Sequence, residues 1–317
     1  MSRFIFGRVV WLIPVLLFIS IITFVLMHSV EGGPWDSGDR PLSESAKEAL
    51  NRKYGLDLPV WRQYLRFLGN AVQGDLGISF QRQDQPVTKI LARSFKVTAT
   101  LGVLALSLAV LAGVSLGVFA ALNRNSAPDY ASVLLASIGS SVPNFVLGIF
   151  LIYVFSVQLH WLPTFGWNVN RGLIHGVLPY WKQAIMPVIT LAALPSAILA
   201  RVTRASMLEI LGQDYIRTAR SKGLRWSVIL WRHSFRNALI PILTILGPLS
   251  AQLVTGSFIV EQLFSVPGIG RQFIQSVLAR DYGMIMGTTL FYSAIIVVAN
   301  LMVDVTYAFA DPRIRYR

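Results

Sequence analysis

The chain of 317 residues contains no cysteine. That excludes disulfides, thiolate chemistry and cysteine-ligated metals, and leaves the redox compartment open. Charge is scarce: Asp, Glu, Lys and Arg make up 14% of the residues, while 54% are hydrophobic. Soluble domains carry about 25% charged residues, so the composition excludes that class and points to a polytopic membrane protein. Acid is scarcer than base, 15 residues against 28, for a net charge of +13. The basic excess sits at the ends of apolar runs, where the positive-inside rule expects it. It is therefore not a nucleic-acid footprint, and no nucleic-acid partner is expected.

Signatures of chemistry are missing as well. No G-x-x-x-x-G-K-[ST] run occurs, so nothing here cradles nucleotide phosphates. "GDLGISF" and "PGIGRQF" are glycine-containing turns and not dinucleotide fingerprints. His28, His160, His175 and His233 are scattered, and none has a second ligand at i+3 or i+4. H-E-x-x-H and G-x-S-x-G are absent. No catalytic residue, metal ligand or cofactor site is assigned to this chain, and an enzyme reading has no candidate nucleophile–base pair.

What is present is a series of long apolar runs. A bilayer core needs about 20 mostly apolar helical residues. Six runs qualify, near 9–28, 98–122, 130–157, 186–203, 238–260 and 285–310. The first is too long for a cleaved signal peptide and reads as an uncleaved span. With the N-terminus inside, 58 cytoplasmic residues hold 14 Lys and Arg, and 118 outside residues hold the other 14. The density differs about twofold. The long outside segment 29–96, with ten basic and eight acidic residues, weighs little in the rule. Both termini are expected in the cytoplasm. The fold class is all-α membrane protein in three parts. Residues 1–95 form the first span plus a helical extracytoplasmic scaffold, 96–310 a five-helix core with a cytoplasmic loop at 206–236, and 311–317 a tail.

Within the scaffold, Ser43, Glu44, Lys47 and Glu48 form a helix-start pattern, and Gly55 a stop. A second helix follows Pro59, with Val60, Tyr64, Leu65 and Leu68 on one face. This segment reads as a small layer over the outer span ends, as a docking surface for a soluble partner, or both. Pro143 interrupts the third span, Pro195 the fourth, and Gly247 and Pro248 the fifth. Membrane helices tolerate such prolines where neighbours or a cavity repair the lost hydrogen bond. They are either packing kinks, alongside close contacts at Ala109, Gly113, Gly117 and Ala120, or the walls of a path that opens and closes. Two acids lie at membrane depth, Glu261 at the end of the fifth span and Asp304 in the last. One near each end argues against a proton relay, and Asp304 is expected to be paired within the bundle.

The densest basic stretch, "DYIRTARSKGLRWSVILWRHSFRNALIP", lies between the fourth and fifth spans. It reads as a short helix closed by Gly223, then an amphipathic helix with Leu224, Val228, Trp231 and Phe235 on one side. Thr218, Ala219 and Ser221 beside Gly223 make a narrow ridge. From the residues alone two accounts stand: a basic segment held by anionic lipid headgroups, and a ridge that enters a groove on another protein.

This stretch resembles the cytoplasmic loop of binding-protein-dependent ABC importer permeases. Their general signature is Glu-Ala-Ala, three residues, Gly, nine residues and Ile-x-Leu-Pro. Here Arg217, Thr218 and Ala219 stand at the Glu-Ala-Ala positions, and His233, Phe235 and Arg236 at Ile, Leu and Pro, so the general form is poorly kept. "YIRTARSKGL" followed by "RHSFRNALIP" is close to the peptide and nickel branch. "YGLDLPVWRQYL", "GDLGISF", "HWLPTFGW", "ARVTRASMLEIL", "IVEQLFSVPGIGRQF", "RDYGMIMG" and "DPRIRYR" extend the likeness over essentially the whole chain. The family resembled is the oligopeptide/dipeptide permeases. The resemblance implies a type I importer half that pairs with a second permease, sits on two cytosolic P-loop ATPases carrying ATP and Mg, and receives peptide from an extracytoplasmic binding protein. It also implies that Asp214, Arg217, Thr218, Ala219, Ser221, Lys222 and Gly223 form the ATPase-coupling element, and that the prolines lie in moving walls. The same branch moves nickel chelates, glutathione and other small solutes. A stand-alone channel or secondary carrier is the rival class; such carriers usually show internal repeats, and none is convincing here.

Overall fold

The computed structural model describes residues 2–36, 43–82, 85–172 and 178–310, with side chains from Val10 to Val303 within those bounds. The tail 311–317 and the side chain of Asp304 lie outside the described residues, so the expected pairing of Asp304 does too. Among the described residues there is no strand beyond an isolated bridge between Ile78 and Pro86. The helices are α1 (Ser2–Ser29), α2 (Glu44–Tyr54), α3 (Val60–Val72), α4 (Val87–Leu122), α5 (Ala127–Ser141), α6 (Asn144–Leu151), α7 (Trp181–Leu211), α8 (Asp214–Ser221), α9 (Trp226–Val228), α10 (Arg236–Thr255), α11 (Phe258–Leu263), α12 (Ile269–Leu278) and α13 (Tyr282–Ala310). Two π-helical turns, Ile152–Gln158 and Ile229–Phe235, continue α6 and join α9 to α10. Among the described residues five helical segments are long and apolar enough to cross a membrane, or six if the bent pair of α5 and the run 144–158 counts as one span.

The spans overrun their apolar runs. α4 begins at Val87 and not near residue 98, because the charged stretch "KILARSFK" keeps helical spacing. Val87, Ile90, Leu91, Ser94 and Thr98 are buried, and Lys89, Arg93 and Lys96 stay exposed. Likewise α7 extends from Trp181 to Leu211 straight through Pro187 and Pro195. α10 continues through Pro241 and Pro248. Only Pro143 breaks a span: α5 and the helical run 144–158 meet at 105°. The residue before proline is pushed to extended backbone, and Val142 has φ −86° and ψ 124°. Pro143 then caps α6, its carbonyl accepting from the N–H of Val146 and Leu147.

The described chain divides into two units. One holds residues 1–98 and 267–298. Its scaffold helices form as the sequence indicates. The Ser43 hydroxyl accepts from the Ala46 N–H, and Gly55 ends α2 with φ 71°. The packed face of α3 differs from expectation. Tyr64 and Leu68 are half-buried as expected, but Val60 and Leu65 are exposed, and Gln63 and Phe67 turn inward in their place. Tyr64 shares a hydrogen bond with Ser20 at 2.8 Å, and with Phe67 it packs on Phe24, Met27, Ile285 and Met286. A row of aromatic contacts runs from Phe24 and His28 through Tyr282 and Phe80 to Tyr54 and Trp35.

Asp281 ties this unit together. It is buried, and it accepts from the Ser79 hydroxyl at 2.5 Å, the Phe80 N–H at 3.1 Å and the Gln81 N–H at 3.3 Å. It also caps α13, accepting from the Met284 N–H at 3.1 Å. The "GDLGISF" turn and the "RDYGMIMG" start of the last span therefore meet on one carboxylate.

The other unit holds residues 99–266 and 299–317. α4 crosses α7 closely because Gly113 and Gly117 carry no side chain. A Cβ on either would stand 2.6 Å from the carbonyl oxygen of Ser196 or Ala200. Ala109 and Ala120 are buried, as the small-residue stripe suggested. Gly247 is a contact of this kind as well: a Cβ there would lie 2.7 Å from Val303.

Candidate functional site

The loop between the fourth and fifth spans folds as a compact hairpin. α7 ends at Leu211, Gly212 caps it, and Gln213 is extended at the start of α8. α8 closes with the Gly223 N–H donating to the Arg220 carbonyl at 2.9 Å and the Leu224 N–H to the Ala219 carbonyl at 3.3 Å. This is a Schellman closure, and it needs a left-handed residue after the cap. Gly223 supplies it with φ +72°, and no heavy atom lies within 4 Å of where its Cβ would be. A side chain here would be strained by backbone conformation and not by crowding.

α8 is amphipathic on a small scale. Ile216 and Ala219 are buried against Ile229 of the following π turn. This corrects the ridge expected from sequence: Ala219 is not at the exposed tip but inside the hairpin, 7% exposed. The exposed face carries Asp214, Arg217, Thr218, Ser221 and Lys222. Arg217 lies 3.5 Å from Asp214, and both side chains are largely in solvent, where such pairs contribute little. The Thr218 and Ser221 hydroxyls donate to the carbonyls of Asp214 and Arg217. The Arg220 guanidinium covers the Trp226 ring at 4.6 Å, and Asn237 donates to the Tyr215 hydroxyl at 2.9 Å. Both contacts tie the two arms.

The second arm differs from the expected amphipathic α-helix. It is α-helical over α9 and then π-helical, with the Ser234 hydroxyl donating to the Ile229 carbonyl five residues back. The wider turn moves the buried positions to Ile229, Leu230 and Ser234 and leaves Trp231 exposed, while Leu224 lies before the helix and is exposed as well. Leu230 and Ala238 pack on Ala121 of α4 and Met207 of α7. The hairpin is thus rooted in two spans.

A third fastening lies close by in sequence terms and was missed there. Arg204 of α7 grips Asp129 of α5 with two hydrogen bonds, at 2.6 and 2.8 Å, and the Asn125 N–H donates to the same carboxylate at 3.0 Å. Asp129 is only 1% exposed. The counting of charges at membrane depth passed over it because it sits one residue outside an apolar run. The signal was available in "NSAPDY", an acid in the first turn after a proline start.

The remaining candidates are dispersed. Pro143 sits at the break, Pro195 is buried in α7, Pro248 is exposed on α10, and Gly247 faces Val303. Glu261 lies on the short α11, beyond Gly256 at φ +85°, and is fully buried. Its N–H donates to the Ser257 carbonyl and its own carbonyl accepts from Val266. Among the described residues no group of three His, Cys, Asp or Glu side chains can hold a metal ion.

Comparison with known proteins follows the same lines. Residues 113–316 match the binding-protein-dependent transport system inner membrane component, and residues 1–102 its N-terminal companion. The dipeptide transport system permease protein DppB of Bacillus subtilis is 42% identical over 99% of this chain and 98% of its own length. The oligopeptide transport system permease protein OppB of Escherichia coli is 39% identical over the whole of both chains. Among solved structures, the MetNI methionine ABC transporter in inward-facing conformations has a chain similar at 18% identity and a TM-score of 0.57, covering 72% of this chain and 99% of its own. That likeness extends to the fold. The chain, a multi-pass inner membrane protein, belongs to the family of binding-protein-dependent transport system inner membrane components.

Proposed function

We propose that this chain is one permease subunit of an ATP-driven importer and forms half of the path for di- or oligopeptides. The observation that carries the reading is end-to-end identity of 39–42% with dipeptide and oligopeptide permeases. Its partners are a second permease, two cytosolic P-loop ATPases and an extracytoplasmic peptide-binding protein. The chain itself does no hydrolysis; ATP and Mg belong to the ATPases. Both termini are cytoplasmic, and the hairpin around α8 faces the same side.

In this reading the exposed face of α8 sits in an ATPase groove. Asp214, Arg217, Thr218, Ser221 and Lys222 make the contact, while Ala219 and Gly223 hold the shape. Closing the ATPases shifts the groove, and α8 passes the shift to α7 and α10 through Ile229 and Leu230. Such coupling requires a two-state element whose contacts differ between ATP-bound and empty forms. The break at Pro143 gives the third span two rigid pieces whose angle can change.

The test uses the assembled transporter in nanodiscs. Arg217→Glu combined with Lys222→Glu reverses the exposed charge and leaves the buried face alone. It should release the ATPases on purification and abolish peptide uptake, with the permease still folded. Gly223→Asp should do the same through strain at the closure. Full ATPase retention and normal uptake in both would return the hairpin to a basic segment resting on lipid. Failure of the wild-type assembly to transport any peptide of two to five residues would refute the substrate class.

A further inference from the structure

A groove at the other end of α7 is not used by the transport reading. It is bounded by the end of the 144–158 run and the first three turns of α7, and has a volume of about 630 Å³. Its construction is specific. After the π turn Ile152–Gln158, His160 takes a left-handed backbone with φ +55°, and the chain doubles back. The N–H groups of Trp161 and Leu162 both donate to the Phe155 carbonyl, and the Trp161 ring lies 6.0 Å from that of Phe155.

The groove has a polar mouth and an apolar floor. His160, Trp161, Trp181 and Lys182 line one part; the rest is apolar, with Leu151, Ile185 and Met186 among its residues and Ile189 at its exposed edge. From Lys182 to Ile189 α7 rises about 10 Å. Lys182 is held over the Trp181 ring at 5.6 Å, and no carboxylate among the described residues pairs with it. His160 turns Nδ1 to the Gln158 carbonyl at 3.2 Å, which leaves Nε2 for a ligand. The charge around the mouth has one sign. From Tyr130 to Leu208 the sequence has no Asp or Glu at all.

A cation with no acid nearby, flanked by two half-exposed tryptophans and opening onto an apolar floor, matches the layout of a membrane interface. A soluble ligand would meet a floor it cannot wet. A zwitterionic lipid would bring its own headgroup cation along with its phosphate to a mouth that already holds Lys182 and His160, so a net negative headgroup suits the site better. We propose that this groove seats one anionic phospholipid, its phosphate at Lys182 and His160 and an acyl chain along Ile185 and Ile189. The site is independent of the hairpin and of the transported substrate.

The experiment is native mass spectrometry of the permease released from nanodiscs of phosphatidylcholine with a minor fraction of phosphatidylglycerol. The wild type should retain one phosphatidylglycerol above the bulk ratio. Lys182→Gln should lower that preference about fivefold, the effect of one cation at a lipid surface. Lys182→Arg should keep it. Ile185→Trp fills the floor without touching charge and should remove the retained lipid altogether. Unchanged helix content and ATPase co-purification confirm that each variant is folded. No enrichment in the wild type, or enrichment that survives both Lys182→Gln and Ile185→Trp, overturns the proposal in favour of ordinary annular lipid. A photo-reactive group at position 185 that captures the second permease subunit and no lipid overturns it too, because the groove is then a subunit interface.

Discussion

Replacing Asp281 with alanine should unfasten the turn of residues 79–82 while leaving the spans in place. The substitution strips one buried acceptor from four donors: the Ser79 hydroxyl and the N–H groups of Phe80, Gln81 and Met284. A hydrogen bond to a charged partner contributes about 1.5–3 kcal/mol, and a buried donor left alone costs about 1–3. Phe80 and Gln81 are partly exposed, so water recovers some of their share. Opening the turn releases three of these donors, because the Met284 N–H stays with α13, and roughly 1 kcal/mol each gives about 3 kcal/mol. At about 1.4 kcal/mol per factor of ten, that is on the order of a hundredfold. Hydrogen–deuterium exchange of the nanodisc-embedded protein reads it directly. Exchange in peptides covering 79–82 should accelerate by about a hundredfold, or to the unprotected rate, with exchange in α7 unchanged. Asp281→Asn keeps one acceptor oxygen and should lose about half the free energy, roughly tenfold in rate. Exchange within threefold of wild type in Asp281→Ala would show that the carboxylate does not hold the turn.

Two further outcomes are expected. Arg204→Ala strands a buried Asp129 and should destabilise by about 3–5 kcal/mol, whereas Asp129→Leu with Arg204→Met should cost markedly less, because neither charge is left alone; chemical denaturation in matched detergent compares them, and equal losses would mean the pair is not buried as described. Asp36 is held below its ordinary value of 3.8, first by the Gly33 N–H and then by Lys47, whose own pKa is raised above 10.5 by Asp36. The lowered acid contributes above 3.8 and loses its contribution as pH falls through its folded value, and the raised lysine contributes until pH climbs through its own. Fluorescence of Trp35, bonded to Asn51 at 2.9 Å, should therefore stay flat between pH 5 and 9 in proteins that differ only at Lys47→Met, and diverge outside that window.

Much of this architecture was legible in the sequence because lipid imposes a long-range rule on composition. Apolar runs located every span, and Ser43, Gly55 and Gly223 marked helix ends through local backbone chemistry alone. The runs underestimated span lengths, because charge stops a hydropathy count but does not stop a helix, as Lys89, Arg93 and Lys96 on α4 show. Prolines were ambiguous for a physical reason. Whether one kinks or breaks a helix depends on its neighbours, so Pro195 and Pro248 lie within continuous helices and Pro143 does not. The partners of Asp281 and Asp129 were not legible. Their contacts span 202 and 75 residues, and nothing in either local pattern names a distant donor. Ala219 was misplaced because a two-turn helix has only one inner face, and its identity is fixed by Ile229 across the turn.

That inner face has a mechanical consequence. Ile216, Ala219 and Ile229 close on one another without help from any other protein, and a Schellman bond pattern locks the tip. The hairpin is therefore a finished part before anything touches it, and a partner gripping its outer side would spend little of its binding free energy on ordering loose chain. A stiff elbow of this kind converts a sideways push into torque at its root. The root here is a π-helical turn, which holds one more residue per hydrogen-bonded loop than the helix it feeds. If that surplus residue were drawn back into α-helical register, everything beyond it in α10 would turn by about 100° relative to the elbow. A push of a few ångströms on the elbow would then reach the far part of α10 as a rotation.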